Sequence, residues 1–209
     1  SISHSYGISA LGSYAYCLAI INIAFLLFGL GLKSIIAADQ HNKFTYTDYF
    51  KFRIWTSAPF FITLTLLSLL LNTEFSIFFL LLIARTADYF SEVQQGVLIR
   101  HERHNLNKYL ILARGLAFYG TIALSTLTTS NLEDTLKLAC SVSVASFMLE
   151  SLLFGKFTKK YSHEETIGTA SNKELTSIFI QALPLGISLT IINFNINFPR
   201  IFSGYYWDT

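Results

Sequence analysis

The sequence predicts an all-α fold, a polytopic bundle of transmembrane helices, on three observations. Of its 209 residues 52% are hydrophobic and only 13% charged, against about 25% charged in ordinary soluble domains. So few charges cannot cover a water-facing surface. Apolar runs approaching the roughly 20 residues a helix needs to cross a bilayer recur along the chain. Basic residues then crowd every second connection, the signature of alternating loops.

The first predicted span lies near 11–32, in a stretch free of charge from Ser5 to Leu32. Its Gly12, Gly29 and Gly31 allow a neighbouring helix to approach closely. A polar segment, 33–53, follows, with Lys33, Lys43, Lys51 and Arg53 against Asp39 and Asp48. The second span, 54–73, carries Pro59 near its start, a kink that transmembrane helices tolerate. The third, 75–98, begins apolar and turns polar halfway, before Arg100, Arg103 and Lys108. The fourth, 110–130, ends in the Ser/Thr-rich run Ser125–Ser130, and the fifth, 138–155, is interrupted by Glu150. A basic loop at 156–174 precedes the last span, 175–198, which is broken by Pro184-Leu185-Gly186. Basic residues are dense in 33–53, 100–108 and 156–173 and sparse in the turns between. The alternation survives only if 75–98 crosses the membrane, giving six spans, an outside start and three basic loops inside. Cys17 and Cys140 sit in apolar runs and read as free packed thiols. The chain opens at Ser1 without an initiator Met and reads as a processed or partial chain.

The third span carries the chemistry. Arg85, Asp88, Glu92 and Gln95 step by three and four, so on a helix they share one stripe. A charge at the bilayer centre costs roughly 2.5–3.5 kcal/mol on insertion scales, and such residues face protein or a water-filled cavity. An interhelical lock would need fewer of them, so the stripe is read as lining a cavity. Arg53 and Arg114 stand at inner helix ends, where they either join the cavity or snorkel to the interface. Asp39 is read as a solvated loop charge and Glu150 as hydrated near a membrane end. Asn193, Asn195 and Asn197, with Gln181, are read as interhelical hydrogen-bonding residues. His101-Glu102-Arg103-His104 lacks the spacing of a zinc helix, and no GxxxxGK[ST] loop for ATP is present. Neither a metal, a cofactor, a catalytic constellation nor nucleic-acid binding is expected, and the chain is read as a non-enzyme.

Short runs resemble a known family in the right order along nearly the whole chain. Ala10-Leu11-Gly12-Ser13-Tyr14-Ala15-Tyr16, Ile36-Ala37-Ala38-Asp39 and Phe50-Lys51-Phe52-Arg53 resemble the second and third helices of Wzx-type polysaccharide flippases. These belong to the multidrug/oligosaccharidyl-lipid/polysaccharide exporter superfamily. Ala84-Arg85-Thr86-Ala87-Asp88-Tyr89-Phe90-Ser91-Glu92-Val93-Gln94-Gln95-Gly96 is similar to their polar fourth helix. Ala182-Leu183-Pro184-Leu185-Gly186 and Asn195-Ile196-Asn197-Phe198-Pro199-Arg200 look like their seventh. The resemblance implies helices two to seven of a two-lobe exporter. Residues 1–155 would be first lobe, 156–174 a cytoplasmic inter-lobe loop, and 175–209 the start of the second lobe, with few partners in this chain. It implies translocation of a polyprenyl-diphosphate-linked oligosaccharide across a bacterial inner membrane, in O-antigen or capsule synthesis alongside polysaccharide-assembly proteins. Arg85, with Arg53 and Arg114, would then attract the diphosphate, and Asp88 and Glu92 would couple an ion gradient to the movement. A drug or metabolite antiporter of the same superfamily is the alternative, and a membrane glycosyltransferase, polymerase or assembly subunit a more distant one.

Overall fold

The computed structural model describes residues 7–39, 43–71, 73–128, 131–161 and 172–207. Among these residues all regular structure is helical and no strand occurs. The helices are α1 (Ile8–Gly29), α2 (Leu32–Ala38), α3 (Tyr46–Leu70), α4 (Phe75–Arg100), α5 (His104–Ser125), α6 (Leu132–Tyr161) and α7 (Asn172–Trp207). Among the described residues four stretches are long and apolar enough to cross a membrane: Ser9–Ala38, Tyr46–Leu70, Leu132–Lys156 and Leu175–Phe202. α4 has 26 residues, about 39 Å at the helical rise, which exceeds a hydrocarbon core of roughly 30 Å. It falls outside the four because of its polar half rather than its length.

α4 is the element the others surround: it packs against α1, α2, α3, α5 and α6. Its sequence reads as three zones, and the bundle repeats them. Ile77, Phe78, Leu81 and Leu82 join Ile20, Phe60, Leu64 and Leu136 in one apolar cluster. Val93, Val97 and Leu98 join Leu32, Ile36, Phe52 and Phe154 in a second. Arg85, Asp88 and Glu92 lie between the two along α4. A polar layer is thus sandwiched between apolar ones, and low polarity strengthens those of its ion pairs that are buried, as at Arg53 and at Arg114–Glu150.

Several boundaries differ from the sequence expectation. α3 starts at Tyr46 rather than near 54, because Thr45 and Asp48 form a reciprocal capping box that satisfies otherwise orphaned N–H groups. α5 ends at Ser125 instead of 130. There Ser125 and Thr126 donate to the carbonyls of Thr121 and Ala123, and such back-bonding competes with continuation of the helix. α6 runs on to Tyr161, so the loop expected from 156 begins later; residues 162–171 lie outside those described. The last span is not broken at Pro184, since α7 continues through Pro184 and Pro199. Proline within an apolar helix is tolerated in membranes where neighbouring helices support the chain, and here α7 docks on the α1–α2 break beside Pro184.

The first span does break, between α1 and α2, where Leu30 (φ 53°) and Gly31 (φ 60°) adopt left-handed backbone. For Leu30 this costs roughly 1–2 kcal/mol, offset by burial of its side chain in the second cluster. The break docks on α7. A Cβ added to Gly186 would lie 2.8 Å from the Leu30 Cα, and one added to Gly31 would lie 2.7 Å from Leu185. α7 therefore has a specific partner here, packing mainly along α1 with smaller contacts to α2 and α3. Most of its remaining apolar surface, including Ile180, Ile191 and Ile196, is exposed. Gly186→Ala is expected to lose about 1–3 kcal/mol through overpacking against backbone. Gly120→Ala, where nothing lies within 4 Å, is expected to be neutral or to gain up to about 1 kcal/mol of helix propensity. Thermal unfolding of the detergent-solubilised variants checks the contrast, and equal midpoints would contradict the docking role.

Candidate functional site

The polar stripe of α4 opens onto a cavity of ≈ 320 Å³ between α1, α2, α4, α5 and α6. All four residues of the stripe, Arg85, Asp88, Glu92 and Gln95, line it, joined by Arg114 from α5. Their steps of three and four keep them on one face of α4, while the opposite face carries Ala87, Phe90 and Val97 into neighbouring helices. Tyr14, Phe25, Phe118 and Tyr119 supply an aromatic wall, and Lys33 and Ser143 complete the polar lining.

Two ion-pair systems organise the site. In the first, Asp88 bridges two arginines: Arg85 Nη1 approaches Oδ2 at 3.0 Å and Arg114 Nη1 approaches Oδ1 at 2.9 Å. Arg114 also donates to Ser91 Oγ at 2.5 Å, and its second terminal nitrogen pairs with Glu150 of α6. The system ties α4, α5 and α6 together. Arg85 and Asp88 are about one-third exposed to the cavity, at 30% and 31%, whereas the Arg114 and Glu150 side chains are nearly buried. In the second, Arg53 donates to Glu92 Oε2 at 2.5 Å and to the carbonyl of Gly29 at 3.2 Å. Its guanidinium lies 4.0 Å from the centre of the Tyr89 ring, a geometry in which the ring face attracts the cation. Tyr89 in turn donates to the Phe28 carbonyl at 3.1 Å, shares a short contact with Thr56 Oγ1 at 2.6 Å, and stacks on Phe60. Arg53 and Tyr89 thereby take up two carbonyls freed where α1 ends. Lys33 closes the cavity by donating to Gln95 Oε1 at 2.9 Å, and Gln95 donates to Ser91 at 3.0 Å.

The sequence expectations divide accordingly. The α4 stripe and Arg114 come together as lining, with Arg114 held inside the bundle rather than snorkelling. Arg53 does not line the cavity: it is fully buried behind Glu92, because Glu92, the Gly29 carbonyl and the Tyr89 ring all compete for it there. Glu150 is buried rather than hydrated, since Arg114 reaches it across the α5–α6 contact. Asp39 is not a loosely solvated charge. It accepts from the backbone of Lys43 and Phe44 and from Tyr49 Oη, and it faces Arg100 at 3.7 Å. That makes it the tie of the α2–α3 connection. Asn197 bonds to Asn193 and Gln181 to Ser177 within α7, and Asn195 is exposed, so none of them makes the expected bond to another helix among the described residues. The cavity residues that spacing alone missed are Lys33, Ser91 and Ser143. Lys33 sits just past a helix break that the paired glycines Gly29 and Gly31 hint at. For Glu150 the signal was an isolated acid inside an apolar run, which deserves the same treatment as the α4 charges.

Three cations (Lys33, Arg85 and Arg114) and two anions (Asp88 and Glu92) line the cavity, leaving an excess positive charge. With Arg53 and Glu150 behind the lining the excess is unchanged, because the two additions cancel. The arrangement can bind an anion, or exchange one between exposed and buried cations. The architecture is that of an all-α bundle with four helices apolar enough to cross a membrane, built around a charged cavity. No family model, curated protein or solved structure matches the chain.

Proposed function

We propose that the chain is part of a membrane transporter of the polysaccharide-flippase kind, moving a lipid-linked oligosaccharide across a bacterial inner membrane. The observation that carries the reading is the cavity: a positive excess enclosed by helices whose outer surfaces are apolar. Moving an anionic, sugar-bearing head through hydrocarbon is prohibitive, since an unpaired buried charge costs tens of kcal/mol by Born solvation (order of magnitude, at about ε 4). A cationic pocket removes that cost while the prenyl tail stays in lipid. Arg85, the more exposed arginine, presents a planar fork suited to phosphate oxygens. At ≈ 320 Å³ the cavity lies at the small end of ligand sites. It suits a diphosphate with its nearest sugar, the rest of the repeat unit lying beyond. Asp88 and Glu92, each already paired to an arginine, are the groups whose protonation or cation binding would redistribute those pairs and couple transport to an ion gradient. A cationic-drug antiporter fits less well, because its pocket should carry a negative excess.

Translocation of a fluorescent polyprenyl-diphosphate sugar in proteoliposomes tests the reading, with membrane abundance measured alongside. Arg85→Ala is expected to abolish translocation at unchanged abundance, and Arg85→Lys to restore part of it by keeping charge without the fork. Normal transport by both Arg85→Ala and Asp88→Asn would overturn the proposal and leave the stripe as interhelical packing. Preferential movement of cationic dyes would favour the antiporter.

A further inference from the structure

We propose that Asp88 is a built-in counter-anion, seated on Arg85 until a polyanionic ligand group displaces it, so that it selects doubly charged groups over monovalent anions. The inference rests on the reading of this cavity as an anion path and adds how the path discriminates among anions.

The two arginines on Asp88 are held differently. Arg114 is nearly buried and fixed by Ser91 and Glu150 as well as by Asp88. Arg85 has Asp88 as its only hydrogen-bond or ion-pair partner among the described residues, one helical turn away on the same face. An incoming anion can therefore take Arg85 while Asp88 keeps its other oxygen on Arg114. Displacement costs one ion pair at a partly hydrated position and leaves no buried charge unpaired. Asp88 competes as a tethered group, at an effective concentration far above that of a free anion. A chloride or carboxylate offers Arg85 no more charge than Asp88 does, and loses. A phosphate chain carrying two or more charges wins on two counts. Its oxygens match the guanidinium fork, and its second charge meets the positive excess left by Lys33, whose partner in the cavity is the neutral Gln95.

The probe is inorganic pyrophosphate, with binding to the full chain in nanodiscs followed by calorimetry at fixed ionic strength. Wild type is expected to bind pyrophosphate and to be insensitive to replacing the background acetate by chloride. Asp88→Asn, which keeps the shape but removes the competing charge, is expected to bind about tenfold tighter or better, the scale of one charge-assisted hydrogen bond. It should also become sensitive to chloride. Arg85→Gln is expected to bind at least about tenfold more weakly, on the same scale. Equal or weaker pyrophosphate binding by a folded Asp88→Asn would overturn the counter-anion role. If that variant does not fold, the wild type decides: chloride competing as well as pyrophosphate overturns it, and discrimination by charge supports it. The underlying anion-path reading fails separately, by wild type binding no pyrophosphate or by Arg85→Gln binding it undiminished.

Discussion

Arg53→Ala is expected to cost about 3–5 kcal/mol of stability, the usual consequence of stripping one partner from a buried ion pair. The Arg53 side chain is completely buried, and three acceptors converge on it: the Glu92 carboxylate, the Gly29 carbonyl and the face of Tyr89. Its removal leaves Glu92 facing the end of α1, whose freed carbonyls already carry partial negative charge. Lysine at this position keeps the charge but cannot bridge Glu92 and Gly29 together, nor lie flat on the ring, so Arg53→Lys should recover only part of the loss. Arg53→Met with Glu92→Gln should recover most of it, because no charge is then stranded. Unfolding midpoints in detergent and abundance in membranes measure the series. An alanine variant as stable as wild type would show that Arg53 is not what holds the α1–α2 break against α3 and α4.

How much of this was legible in the sequence varies by element. The fold class followed from composition, since nothing but a helical bundle suits so apolar a chain with repeating long spans. The α4 stripe was legible because a period of three and four is a local property of one helix. Arg53 was misplaced for the opposite reason. Its environment is made by residues distant in the chain, Glu92 being 39 positions away and Gly29 being 24, and no local pattern encodes that meeting. The loop reading of Asp39 failed similarly, because Tyr49 and Arg100 reach it from two different helices. Helix ends were mistaken where side-chain chemistry overrides hydropathy: the Thr45–Asp48 box extends α3 into polar sequence, and hydroxyl back-bonding ends α5 at the start of its Ser/Thr-rich run. The left-handed Leu30 itself carries no propensity signal, and its burial in the second cluster and close approach to Gly186 are tertiary contacts that no local pattern encodes.

The second large effect concerns Arg114, on which two carboxylates from two helices depend. Arg114→Met is expected to lose about 3–5 kcal/mol, because Glu150, nearly buried on α6, keeps a charge with nothing opposite it. Asp88 suffers less, retaining Arg85 in the partly hydrated cavity. The asymmetry predicts which second change rescues the first. Glu150→Gln on the Arg114→Met background should return about 2 kcal/mol, within the usual range for directly coupled neighbours. Asp88→Asn on the same background should return little, because it strips the remaining partner from Arg85. A double-mutant cycle on unfolding free energy reads both couplings. If Glu150 were instead a hydrated charge at a membrane end, its cycle with Arg114 would close to zero, and the bond joining α5 to α6 would have to lie elsewhere. Coupling to Glu150 with little to Asp88 would mark Arg114 as the fixed member of the pair, the condition under which Arg85 alone is free to engage an arriving anion.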